Sequence, residues 1–230
     1  MKTWMVVPGL IVWVAARPAL AEDTDTETTV LNREAAPPAG ALEVALAAGY
    51  SEGVGRVAKG MDSVPQIAGP GGAVEADVGF RISPHLLLGA YVTGAAFVHG
   101  TGGDIDSVHS ATAGLQANWH FTPERRSDPW VGLASGWRGM WFGPDQGHGT
   151  ALNGVEIGRL QLGVDFHTED ATISPLLGMD VSMFLKQSLP GQDAQNIDNP
   201  RPNVFFFGGL LVRFDVGGRR HVLGQATAMR

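Results

Sequence analysis

The chain contains no cysteine. A disulfide framework, a cysteine-ligated metal and a thiolate-linked lipid anchor are all excluded by that absence. Lysine is nearly missing as well, with Lys2, Lys59 and Lys186 the whole set. Beyond the first 21 residues there is no long apolar run, so no further helical membrane span is expected. Positive charge is short overall: 16 Lys and Arg stand against 23 Asp and Glu, a formal net charge of -7. Setting aside Lys2 and Arg17 with the N-terminal segment makes it -9 (-7 - 2), which argues against nucleic acid as a partner.

The N-terminus is the first positive signal. Lys2 precedes a mostly apolar stretch from Val6 to Ala16, and Ala19-Leu20-Ala21 has the small-x-small form cut by a signal peptidase before Glu22. Residues 1–21 are therefore expected to be an export signal; an uncleaved anchor would need a longer run without Pro8. Residues 22–40 are acidic, Thr-rich and Pro-bearing, and read as a flexible periplasmic leader.

From Ala41 onward, segments of period-two alternation are separated by turn residues, which predicts eight strands with two unlike faces. They are Ala41–Glu52, Val74–Ile82, Leu86–His99, Ser110–Phe121, Trp130–Phe142, Val155–His167, Thr172–Leu185 and Val204–Val216, with a bulge expected near Gly158. In the second, Val74, Ala76, Val78, Phe80 and Ile82 alternate with Glu75, Asp77, Gly79 and Arg81. Short connections, such as Ser83-Pro84 and Thr168-Glu169-Asp170, alternate with longer Gly-, Asp- and Asn-rich ones, such as Gly53–Gly72 and Lys186–Pro202. Short and long turns thus collect at opposite ends. An even strand count with both termini on the short-turn side is the plan of an eight-stranded antiparallel up-and-down transmembrane β-barrel, residues 41–218, followed by a basic periplasmic tail, residues 219–230.

A secreted soluble barrel with a greasy interior has the same alternation, and the charges discriminate. Ten of them, Glu43, Glu75, Asp77, Arg81, Arg138, Arg159, Asp165, Asp180, Arg213 and Asp215, fall on the face opposite the apolar rows, and no lysine is expected inside a strand. These ten are expected to line the lumen. Glu43, Arg81 and Arg213 should meet near the periplasmic end, and Asp77, Arg138, Arg159 and Asp180 nearer the outside. Outward Phe80, Trp119, Phe121, Phe166 and Phe214 would form one interfacial aromatic girdle, with Tyr50, Trp141 and Phe206 beginning the other.

On these residues the chain resembles the small outer-membrane barrel family typified by the OmpA transmembrane domain and its opacity-protein relatives. Gly209-Leu210-Leu211-Val212-Arg213-Phe214 is similar to the Gly-x-x-apolar-x-aromatic signal read by the barrel-insertion machinery, although Gly217 and a basic tail follow it. The resemblance implies a bacterial outer-membrane protein with periplasmic termini, outer-membrane lipid and the insertion machinery as partners, and long loops open to an extracellular ligand whose nature the sequence does not give.

The expected function is a non-enzymatic barrel with a charge-plugged lumen and a structural or surface-interaction role, without cofactor or metal. A narrow solute or ion channel is the first alternative. A lipid A-modifying enzyme is the second, with His109-Ser110 as the nearest candidate dyad and His148 as a further imidazole; the His-x-Ser-Asn signature of such enzymes is missing. His99, Asp104, Asp106, His109 and His148 could ligate a metal, although their spacing matches no common site. The Gly71-Gly72 and Gly102-Gly103 pairs lack a strand-to-helix context for cradling phosphate. Arg219, Arg220 and Arg230 could touch anionic lipid or peptidoglycan, or simply be solvated.

Overall fold

Alternating apolar and polar residues leave each segment with one face for the lumen and one for the exterior, and the hydrogen bonds of such a sheet are satisfied only when it closes. In the computed structural model it does. The described residues are 40–102, 105, 107–143, 149–168 and 171–216; the export signal, almost all of the leader and the basic tail lie outside them. The elements are β1 (Leu42–Gly55), α1 (Val64–Ile67), β2 (Ala68–Ser83), β3 (Leu86–His99), β4 (Ser107–His120), β5 (Ser127–Gly143), β6 (Thr150–His167), β7 (Thr172–Ser188), β8 (Gln195–Asn196) and β9 (Pro202–Val216).

Each wall strand from β1 to β7 pairs antiparallel with the next. β9 pairs with both β7 and β1, so eight strands form an edgeless, all-antiparallel barrel. The eight expected strands are present, several of them longer at the long-loop end than the alternation indicated. One consequence corrects the sequence reading: Lys186, expected outside any strand, lies exposed within the extension of β7, where it pairs with Asn196 of the two-residue β8. No described helix is long and apolar enough to cross a membrane, which says nothing of crossing by strands.

Curvature is built from glycine pairs and bulges. Gly114 faces Gly136 across β4 and β5. A Cβ on Gly114 would lie 2.2 Å from the Ser135 carbonyl oxygen, and one on Gly136 would lie 2.2 Å from that of Ala113. Gly136→Val is therefore expected to remove most of the folded species, read as loss of the fast-migrating band when the refolded protein is run unboiled. The register slips beside this pair, between Ala134 and Gly136, and again in β6 between Glu156 and Gly158, where the bulge was expected.

The long-loop end is closed by its own chain. After Gly55 the first long connection turns inward, held by bridges from Arg56 to Ser63 and from Ala58 to Pro200. Gln66 Oε1 accepts the Ser63 backbone N–H at 2.8 Å and caps the single turn of α1. Val57, Ala58, Val64 and Ile67 are thereby buried against inward Phe97, Val108, Met140, Leu152, Phe184 and Phe205.

Candidate functional site: the lumen

Eight strands enclose a space just wide enough for side chains, so whatever lines it must pack and pair. Moving ion-sized groups out of water costs several kcal/mol each unless partners replace the solvent. The inward positions meet this demand in layers.

Below the apolar mouth lies the first ionic layer, centred on Arg159. Its Nε donates to Glu156 Oε1 at 2.7 Å, its Nη1 pairs with Glu75, and its Nη2 donates to Thr112 Oγ1 at 3.0 Å. Gln161 Nε2 donates to the other oxygen of Glu75 at 2.9 Å, and the Tyr91 hydroxyl donates to Glu156. The Tyr91 ring lies 4.2 Å under the Arg159 guanidinium. Beside this group Arg138 Nη2 donates to Asp180 Oδ2 at 2.6 Å, while its guanidinium stacks 3.9 Å from the Phe205 ring. A cavity of about 30 Å³ remains among Ser51, Glu75, Thr93, Arg138, Arg159 and Asp180, room for about two waters.

The next layer is mainly apolar, with Ala45, Ala47, Leu176 and Leu211 packed on Trp130. At the short-turn end a second ionic layer follows. Arg81 pairs with Glu43 and donates to the Pro84 carbonyl at 3.1 Å; Arg213 Nη1 donates to Asp165 Oδ2 at 2.8 Å, with Nε 3.5 Å from Glu43. His120 Nδ1 is 2.7 Å from Asp128 Oδ2, and Thr122 N–H donates to Asp128 Oδ1 at 2.8 Å. Trp130 floors the layer from inside, its ring 4.3 Å from the Arg213 guanidinium and its Nε1 donating to Ser174 Oγ at 2.9 Å.

Nine of the ten charged residues singled out in the sequence are buried in the lumen: Glu43, Glu75, Asp77, Arg81, Arg138, Arg159, Asp165, Asp180 and Arg213. Asp215 is the exception, exposed at the end of β9 opposite Glu43. Glu43, Arg81 and Arg213 meet, as do Arg138 and Asp180, but Asp77 does not join the latter group through any ion pair. It lies two residues nearer the short-turn end than Glu75, about 7 Å along a strand, and Glu75 takes the place beside Arg159. Asp77 Oδ1 and both polar atoms of the Gln116 amide are buried without a hydrogen-bond partner.

Sequence reasoning missed Glu156, which is fully buried. The bulge before Gly158 adds a residue and reverses the parity of β6, so Glu156 shares the lumen with Arg159 despite the odd spacing. His120 and Asp128 were not singled out either, His120 lying near the end of the Ser110–Phe121 segment and Asp128 in the connection before Trp130. Inward Tyr91 sits on a strand whose faces the sequence left unassigned, and inward Trp130 shares the parity of Arg138 but was not singled out.

Outside, Phe80, Trp119, Phe121, Phe166 and Phe214 toward the short turns, and Tyr50, Trp141 and Phe206 toward the long loops, are all between 40% and 55% exposed. Trp137 joins the second set, its ring 6.1 Å from that of Trp141. The dyad candidate is not assembled: Ser110 points inward and donates to the Gly139 carbonyl at 2.9 Å, whereas His109 points outward and is exposed. His99 is exposed at the end of β3; Asp104, Asp106 and His148 lie outside the described residues.

An ionic interior inside an apolar exterior inverts the usual soluble arrangement. It is the pattern of a barrel solvated by hydrocarbon. Comparison with solved structures agrees in fold. The chain superimposes on Neisserial surface protein A with a TM-score of 0.50 at 13% identity, covering 75% of this chain and 96% of that one. This is the fold of the small outer-membrane β-barrels. The outer-membrane protein AlkL (TM-score 0.48, 14% identity, 89% of this chain and 100% of that one) and the N-terminal barrel domain of Pseudomonas aeruginosa OprF (0.43, 14%, 78% and 100%) were also found. No protein-family model matches the sequence, and neither does any curated protein.

Proposed function

We propose that the chain is an integral protein of the bacterial outer membrane, with periplasmic termini, whose lumen is closed to solutes and whose role is structural or carried by its outer surface. The observation that supports closure is the succession of layers across the lumen: an apolar mouth sealed by Val57, Val64 and Ile67, an ionic layer about Arg159, and a second about Arg213. Every guanidinium in these layers has a carboxylate partner. An ion crossing would have to break such pairs in a medium of low dielectric, where each costs several kcal/mol to separate. Outer-membrane lipid is the proposed partner of the apolar wall and its aromatic belts. The insertion machinery is the proposed reader of Gly209–Phe214, which lies in the strand that closes the barrel.

A non-catalytic role is favoured by the separation of His109 from Ser110 onto opposite faces of β4. Planar-bilayer recording of the refolded protein tests closure: the expected result is no steady conductance above that of the bare bilayer. A large, steady conductance overturns closure and establishes the channel alternative. Membrane insertion is tested separately, by whether the protein partitions with outer-membrane vesicles and migrates faster unboiled than boiled.

A further inference from the structure

The short-turn end of the lumen holds a constellation that closure does not require. His120 is the last residue of β4, Asp128 the second of β5, and Asp165 faces Asp128 from β6. His120 and Asp128 are fully buried and Asp165 is 1% exposed. One donor atom from each lies within 4.8 Å of the others. His120 Nδ1 is 2.7 Å from Asp128 Oδ2 and 3.6 Å from Asp165 Oδ2. Tetrahedral zinc with bonds near 2.0–2.1 Å holds its donors about 3.3 Å apart, between those two spacings.

A second observation is independent of that grouping. Asp165 Oδ1 and His167 Nε2 are buried and have no hydrogen-bond partner. Leaving such atoms unmatched costs about 1–3 kcal/mol each, more for a charged group. His167 follows Asp165 by two residues on the same face of β6, with its Nδ1 placed by Thr172 Oγ1 at 2.9 Å, and borders the three-residue group without belonging to it. The charge count has the same sense. Glu43, Asp128 and Asp165 carry three negative charges in this layer against two positive ones on Arg81 and Arg213.

We infer that His120, Asp128 and Asp165 form a three-ligand binding site for a divalent transition-metal ion of the zinc type at the short-turn end of the barrel, its fourth position left to water. One imidazole with two carboxylates is a small, low-coordinate donor set that suits zinc or cobalt better than calcium, which takes six to eight oxygens, or magnesium, which keeps an octahedral oxygen shell. The outer contacts are already in place. Thr122 N–H holds Asp128 Oδ1, while Arg213 Nη1 donates to Asp165 Oδ2, the oxygen that lies 3.6 Å from His120 Nδ1. Only residues 121–127 stand between His120 and Asp128 along the chain.

Arg213 also sets the site's affinity. Its Nη1 lies 3.3 Å from His120 Nε2. Metal on Nδ1 moves the ring proton to Nε2, where it meets that donor, so the guanidinium must turn away toward Glu43. Metal binding and the Arg213–His120 contact therefore exclude each other, and removing the guanidinium strengthens binding.

The test uses the untagged full chain, refolded in detergent, stripped with chelator and titrated with Co²⁺ and then Zn²⁺. The expected result is one Co²⁺ per chain with the intense visible bands of tetrahedral coordination, displaced by Zn²⁺. His120→Gln and Asp128→Asn abolish the bands, and Arg213→Gln tightens binding by tenfold or more. Folding of each variant is checked by its unboiled gel migration. If a variant does not fold, the wild type suffices: with histidine ring carbons labelled, Zn²⁺ must shift His120 out of the seven histidines. Absence of stoichiometric uptake, or uptake that leaves His120 unperturbed, overturns the inference.

Discussion

Arg159→Met is expected to lower the unfolding free energy of the barrel by about 3–5 kcal/mol, the cost of removing one partner of a buried ion pair. The side chain is only 6% exposed and pairs with both Glu75 and Glu156. Methionine keeps much of the volume and the contact with Tyr91, but it leaves two carboxylates with no cation between them. Gln161 and Tyr91 still donate one hydrogen bond to each, which is why the loss is not larger. Urea titration in lipid vesicles measures it. The triple variant Arg159→Met, Glu75→Gln, Glu156→Gln is expected to recover most of the stability, because no buried charge is then stranded. If the single substitution costs less than about 1 kcal/mol, the range for an exposed pair, the network is solvated and the closed-lumen reading loses its support.

The wall of this barrel was legible because its signals are local. A strand with unlike faces prints its own alternation, and a short turn must carry residues such as Ser83-Pro84. β3 accordingly spans the same residues that the sequence indicated, Leu86–His99. The interior was legible only in part, because parity survives only where the register is unbroken. Glu156 lies on the far side of a bulge and so was assigned to neither face, although it is the most enclosed carboxylate of the Arg159 layer. Asp77 and Glu75 share a face, and which of them reaches Arg159 depends on the stagger between strands distant in sequence, which no local pattern encodes. The apolar mouth was hidden for another reason. Phe97, Met140, Phe184 and Phe205 point inward by the parity of their strands, but what buries them is the first long connection folding back, and that contact is made by Val57, Val64 and Ile67 in a stretch that reads as loop.

The mouth gives the sharpest contrast between the two faces, since Phe205 and Phe206 are adjacent and point opposite ways. Phe205 is 2% exposed, packed in the mouth cluster with Arg138 over its ring. Phe206 is 46% exposed on the outer wall. Phe205→Ala is expected to cost about 3–5 kcal/mol, because the lost side chain leaves a cavity that neighbouring strands cannot collapse to fill. Phe206→Ala leaves no cavity, since lipid chains occupy the space; it costs at most the transfer of the side chain, about 2 kcal/mol. Urea titrations of both variants in the same vesicles read the difference. In a soluble barrel the order changes little for Phe205, but Phe206→Ala becomes neutral or stabilising, because water then gains by losing an exposed ring. The sign of the Phe206 effect in lipid therefore reports directly which medium the outer wall is built for, and a stabilising value would mean that the aromatic belt is not in contact with lipid.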